Sequence, residues 1–131
     1  MEFNENRPIY LQIADLVMEK IIHGVWKGGD RIPSVRELAV SLEVNPNTVI
    51  HAYGYLQDNG IIHNRRGIGY HVSEEGREAA KKFKREEFLS RELPGIFRAM
   101  QVLDIGIDEI KTLYDEYKID TEHTEGIDEE K

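Results

Sequence analysis

The sequence predicts a mainly α fold with a small β-hairpin, organised as an N-terminal winged helix-turn-helix and a C-terminal helical tail. Three observations carry this expectation. Two short helical stripes between Pro33 and Gly60 are separated by a turn too tight to be a linker. A β-branched hairpin with a glycine-rich tip follows directly, and beyond Ser73 the chain becomes charged, amphipathic helix.

Taken in order, Pro8 opens a helix in which Ile9, Ile13, Leu16, Val17, Lys20 and Ile21 keep helical spacing, and Gly24 supplies the stop. Trp26 is expected to pack against this helix. Gly28 and Gly29 mark a turn, and Arg31-Ile32 is long enough for a very short strand. Ser34 and Glu37 then stand at capping-box spacing, and Val35, Leu38, Ala39 and Leu42 recur at i, i+3, i+4 and i+7. After the turn at Glu43-Val44, Asn45 is a second N-cap with Pro46 in the first helical position, where a missing N–H costs nothing. Val49, Ala52, Tyr53 and Leu56 give this second helix, 46–59, its inward stripe. The opposite side carries Asn47, His51, Tyr55 and Asp58, with Thr48 and Ile50 at its edges.

Asn59-Gly60 ends that helix, Ile61 to Arg65 reads as a strand, and Tyr70-His71-Val72 returns antiparallel across a tip of Arg66-Gly67-Ile68-Gly69. A helix pair of this kind lowers the first turn of its second helix into a DNA major groove. Arg65, Arg66 and the bare backbone at Gly67 and Gly69, within a wing spanning 65–70, would then reach phosphates or the adjoining minor groove.

From Ser73 onward, Glu74, Glu75 and Glu78 precede Lys81, Lys82, Lys84 and Arg85, the order that a helix dipole favours, with Ala80, Phe83, Glu87 and Phe88 as the less polar seam. Leu93-Pro94-Gly95 should kink or break this helix. Ile96, Phe97, Met100 and Leu103 form another stripe that Gly106 stops, and Asp108 is placed to cap a third helix bearing Ile110, Leu113, Tyr114 and Tyr117. So small an appendage cannot hide three apolar stripes by itself; the simplest partner is a second copy, so a homodimer is expected, the alternative being that the stripes pack onto their own winged helix. The resulting division is 8–73 for the winged helix-turn-helix, 74–118 for a helical dimerisation region, and 119–131 for an acidic tail with too little apolar surface to order itself.

The formal net charge of −8 runs against a polyanionic partner until its distribution is examined. Residues 1–73 hold seven Lys/Arg against eight Asp/Glu, whereas residues 74–131 hold ten against seventeen. Nearly all the excess lies outside the helix-turn-helix. A winged-helix module that binds protein without DNA is the alternative that the acidity favours. Cysteine is absent, which removes disulfides, thiolate nucleophiles and Cys-type zinc sites. The five histidines show no metal-binding spacing, and Gly67-Ile68-Gly69 has no helix after it to hold a pyrophosphate. No metal, cofactor or enzymatic activity is therefore expected. With neither a signal peptide nor a membrane span in evidence, the expected location is the cytoplasm.

The run VNPNTVIHAYGYLQDNGIIHNRRGIGY resembles the GntR family of bacterial transcription regulators, and within it the YtrA subfamily. The likeness extends from Pro8-Ile9-Tyr10-Leu11-Gln12-Ile13 through Gly29-Asp30-Arg31-Ile32-Pro33-Ser34-Val35-Arg36-Glu37-Leu38-Ala39 to the wing, and includes Leu103-Asp104-Ile105-Gly106-Ile107. It implies a dimeric repressor acting on double-stranded DNA. By the same resemblance Arg36 touches DNA from the first motif helix, Asn47 and Thr48 touch backbone or bases, and Arg66-Gly67 enters the minor groove. Asn45 is counted with that first turn. Pro46 and Ile50 stand where many members carry arginine, so guanine reading by arginine is ruled out at those two places and His51 becomes the candidate for base contact. About sixty residues after the wing leave no room for the larger relatives' sensing domain. An unidentified small-molecule effector would have to bind between the tail helices, the dimer halves or the two parts of one chain.

Overall fold

A computed structural model describes Phe3 and residues 6–129, with side chains as far as Lys118. It divides into two compact units, Met1–Glu86 and Glu87–Lys131. The first contains α1 (Ile9–Ile22), α2 (Val35–Leu42), α3 (Pro46–Asp58), the strands β1 (Ile62–Arg65) and β2 (Gly69–Val72), and nearly all of α4 (Gly76–Glu87).

The core of this unit lies where α1, α3 and the hairpin meet. From α1 it takes Ile13, Ala14, Val17, Met18 and Ile21, so the buried face includes Ala14 and Met18, which the sequence pattern passed over, while Ile9 stays 44% exposed. From α3 it takes Val49, Ala52, Tyr53 and Leu56, as the spacing predicts. Trp26 packs on this cluster with the Lys20 ammonium 5.6 Å above its ring.

The hairpin pairs Ile62 with Val72 and Arg65 with Gly69. A third segment joins it. Arg31 bridges His71, Ile32 N donates to Tyr70 O at 3.0 Å, and Val72 N donates to Asp30 O at 2.9 Å, so the short strand read from Arg31-Ile32 exists and lies along β2.

The division expected at Ser73 shifts, because α4 packs with the first unit. Ala80 is fully buried, Arg77 Nε donates to Ile22 O at 2.9 Å, and Lys84 Nζ meets Asp15 of α1 at 3.0 Å. Charge alone suggested a boundary at 73. Small apolar residues at the start of α4 decide otherwise, for Gly76 lies close against Ile61 and Val72.

In the second unit, Phe88–Glu92 forms a π turn in which Leu93 N donates to Phe88 O, and α5 (Leu93–Val102) follows with Pro94 in its first turn. The expected break is therefore a local widening of the helix, which accommodates the missing Pro94 N–H. α5 ends through Asp104, whose φ of 57° is left-handed, and not at Gly106; Ile105 N closes the end onto Met100 O at 2.8 Å. The last helix, α6 (Ile107–Glu129), starts before Asp108, which sits in its first turn and is not the cap. Its backbone is helical past Ile119, where an unordered tail was expected; that stretch has no proline to interrupt it. Neither the π turn nor α5 buries a single side chain.

Candidate nucleic-acid interface

The α2–α3 pair is fixed at its ends by its own side chains. Glu37 N donates to Ser34 Oγ at 3.1 Å and Ser34 N to Glu37 Oε1 at 3.2 Å, which completes the capping box. The Ser34 backbone N–H, then its hydroxyl, and then the charge of Arg31 hold the Glu37 carboxyl below its ordinary range. α2 ends on Glu43 in the left-handed conformation, with Glu43 N bonded to Val40 O and Val44 N to Ala39 O. One residue further on, Asn45 Oδ1 accepts from Asn47 N at 2.8 Å and caps α3. Tyr53, wholly buried in α3, donates its hydroxyl to Pro33 O at 2.6 Å, just before the cap of α2, and burial pushes its phenol far above the ordinary tyrosine range.

With the inward stripe of α3 committed, Asn45, Asn47, Ile50, His51 and Asp58 are exposed and Thr48 is half-buried. Asn45 is thus both cap and surface. Tyr55 departs from the outward side on which the pattern places it: it is half-buried, edge-on to Tyr10 at 6.0 Å and to Phe83 at 5.7 Å. His51 is exposed with one face of its ring stacked on Tyr10 of α1, at 3.6 Å between centroids and 12° between planes. Its other face and its ring nitrogens are what a ligand would meet. Arg36 is exposed on α2.

On the hairpin, Arg65, Arg66 and Gly67 are exposed and Gly69 is half-buried. Ile68 N donates to Arg65 O at 2.9 Å, closing a turn whose third residue, Gly67, has φ of +80°, a conformation that costs glycine nothing. One cation was missed by sequence reasoning. Exposed Arg31 lays its guanidinium along Gly69, 3.4 Å from where a Cβ would stand, and its charge also acts on Glu37. It therefore lies beside both the hairpin tip and the first turn of α2. The available signal was its place in the short strand, from which a side chain must stand off the sheet beside β2.

No group of three or more metal-ligating side chains occurs among the described residues. What the unit offers is an exposed helix N-terminus with small polar groups at α3 and exposed arginines on the short strand, α2 and the hairpin, and groups of these kinds bind phosphates and base edges.

The signature of the bacterial regulatory proteins of the gntR family matches residues 9–72, from α1 to the end of the hairpin. The chain is also 36% identical over 110 residues to the uncharacterised HTH-type transcriptional regulator YhcF of Bacillus subtilis, a match that covers 83% of this chain and 88% of that protein. This chain belongs to the gntR family. Within the family, the HTH-type transcriptional repressor YtrA of Bacillus subtilis is 49% identical over 67 residues, covering 51% of this chain and 52% of the repressor, which supports the YtrA subfamily. A crystal structure described as a transcriptional regulator of the GntR family from Bacteroides thetaiotaomicron superposes with a TM-score of 0.74 at 41% identity, over 86% of this chain and 98% of that one. Its likeness spans both the winged helix-turn-helix and most of the helical remainder. This gntR chain is accordingly a DNA-binding transcriptional regulator by membership. None of the helices described is long and apolar enough to cross a membrane.

Proposed function

We propose that this gntR-family chain is a cytoplasmic homodimeric repressor that binds a two-fold operator on double-stranded DNA. One observation supports this reading above the rest: a doubly capped helix pair leaves the first turn of α3 exposed, and the hairpin that α3 meets through Tyr53 and Tyr70 has a glycine tip with exposed arginines at and next to its turn. In the proposed complex α3 enters the major groove. Asn45, Asn47 and Thr48 bind phosphate or base edges there, His51 reads a base, Arg36 holds the backbone from α2, and Arg65, Arg66, Gly67 and Gly69 follow the neighbouring minor groove.

The dimer is supported by what the second unit leaves uncovered. Phe88, Leu89, Ile96, Phe97, Leu113 and Tyr114 are each more than two-fifths exposed, a concentration of apolar surface that a solitary small helical unit seldom carries. A second copy would cover it and supply the second half-site.

The test is a salt titration of binding to DNA from upstream of the protein's own gene, with Arg36→Ala and Arg66→Ala beside the wild type. Each arginine removed should weaken binding by about 1–3 kcal/mol and flatten the salt dependence. A wild-type chain with no DNA affinity even at low salt would favour the protein-interaction module instead. Sedimentation of Phe97→Asp checks the dimer: a variant that remains dimeric refutes this helical face as the interface.

A further inference from the structure

His71 is a buried polar side chain, 7% exposed, that the proposed complex does not use. It stands opposite His63 on the neighbouring strand, and the two rings lie nearly parallel, 5.8 Å apart with 14° between planes. Each ring then bonds toward the tip of the hairpin. His71 Nδ1 is 2.9 Å from Gly69 O; a carbonyl only accepts, so this nitrogen carries the proton and donates. Arg65 Nε donates to His63 Nε2 at 3.1 Å, so that nitrogen is bare. Arg65 and Gly69 are themselves the last cross-strand pair before the turn. The stacked histidines thus tie down both residues from which the tip springs.

An exposed arginine normally samples many rotamers, and ordering it on a ligand costs free energy. Here the Nε–H is already engaged, while the terminal nitrogens keep their donors for a phosphate or a base edge. We propose that the His63–His71 pair is a positioning device for the wing, in which His63 aims Arg65 at DNA and His71 holds the strand on which His63 stacks. This rests on the reading of the hairpin as a DNA contact.

Two substitutions separate the acceptor from the stack. His63→Phe keeps a ring against His71 and loses the acceptor, whereas His63→Gln restores an acceptor at similar reach. With a labelled duplex selected from a random-sequence library by the wild-type chain, His63→Phe should bind about fivefold more weakly and His63→Gln close to wild type. In an Arg65→Ala background His63→Phe should cost nothing further, because its effect passes through the arginine. Wild-type affinity in His63→Phe, or an equal loss with and without Arg65, overturns the positioning role while a weakened Arg65→Ala leaves the wing contact standing. Wild-type affinity in Arg65→Ala overturns the wing contact at Arg65 and this inference together.

Discussion

Replacing Gly76 and Gly54 by alanine, one at a time, makes the same chemical change with opposite expected sign. At the start of α4, a Cβ on Gly76 would stand 2.6 Å from Ile61 O and 2.7 Å from Val72 Cγ1. Neither neighbour can yield freely, since Ile61 O already accepts from Ser73 N and Val72 is fully buried. Overpacking of this kind costs about 1–3 kcal/mol. The gain from alanine over glycine in a helix is smaller at a first residue than in the interior, so a net loss of about 1–2 kcal/mol is expected. In the middle of α3, by contrast, a Cβ on Gly54 meets nothing within 4 Å. The helix preference then acts alone, and stability should rise by about 0.5–1 kcal/mol. Urea unfolding followed by the fluorescence of the single tryptophan, at one fixed protein concentration, measures both. A Gly76→Ala midpoint at or above wild type refutes the close seating of α4 on the hairpin. A Gly54→Ala midpoint below wild type refutes the open face of α3. Because Gly54 falls in line with Asn47 and His51 along the helix, its variant should also bind DNA more weakly while being more stable.

Two further perturbations probe the ends of α2. The Glu37 carboxyl is held below 4.5, first by the Ser34 backbone N–H, so its contribution is complete above that pH and is lost as pH falls through the lowered folded value. The gap in urea midpoint between wild type and Glu37→Ala should therefore close on acidification; a gap that widens contradicts the capping assignment. Glu43→Gly relieves a left-handed non-glycine residue at φ 56° and should stabilise the protein by about 1 kcal/mol, read as a raised thermal midpoint.

Much of the winged helix-turn-helix was legible because its signals are local. A capping box needs only Ser34 and Glu37, an N-cap with proline behind it needs only Asn45 and Pro46, and both form as expected. What escaped depends on distant partners. Tyr55 looks outward on a helical wheel, and only the approach of Tyr10 and Phe83 from other helices draws it in. Arg31 gains its place because the strand it starts runs along β2. A boundary at Ser73 rests on charge, which says nothing of Gly76 fitting against Ile61. Asp104 stops α5 in a conformation that glycine adopts more readily, which is why the sequence points to Gly106 two residues on.

Residues 29–33 belong to two structures at once. Their main chain is stitched to β2 at Gly29, Asp30 and Ile32, and one residue later Pro33 O takes the Tyr53 hydroxyl from the middle of α3. This splint leaves the hairpin and the helix pair little freedom to adjust independently. If both engage one duplex as proposed, DNA that does not match their combined contour would have to be bent or twisted to fit, and discrimination between sequences would fall partly on its stiffness.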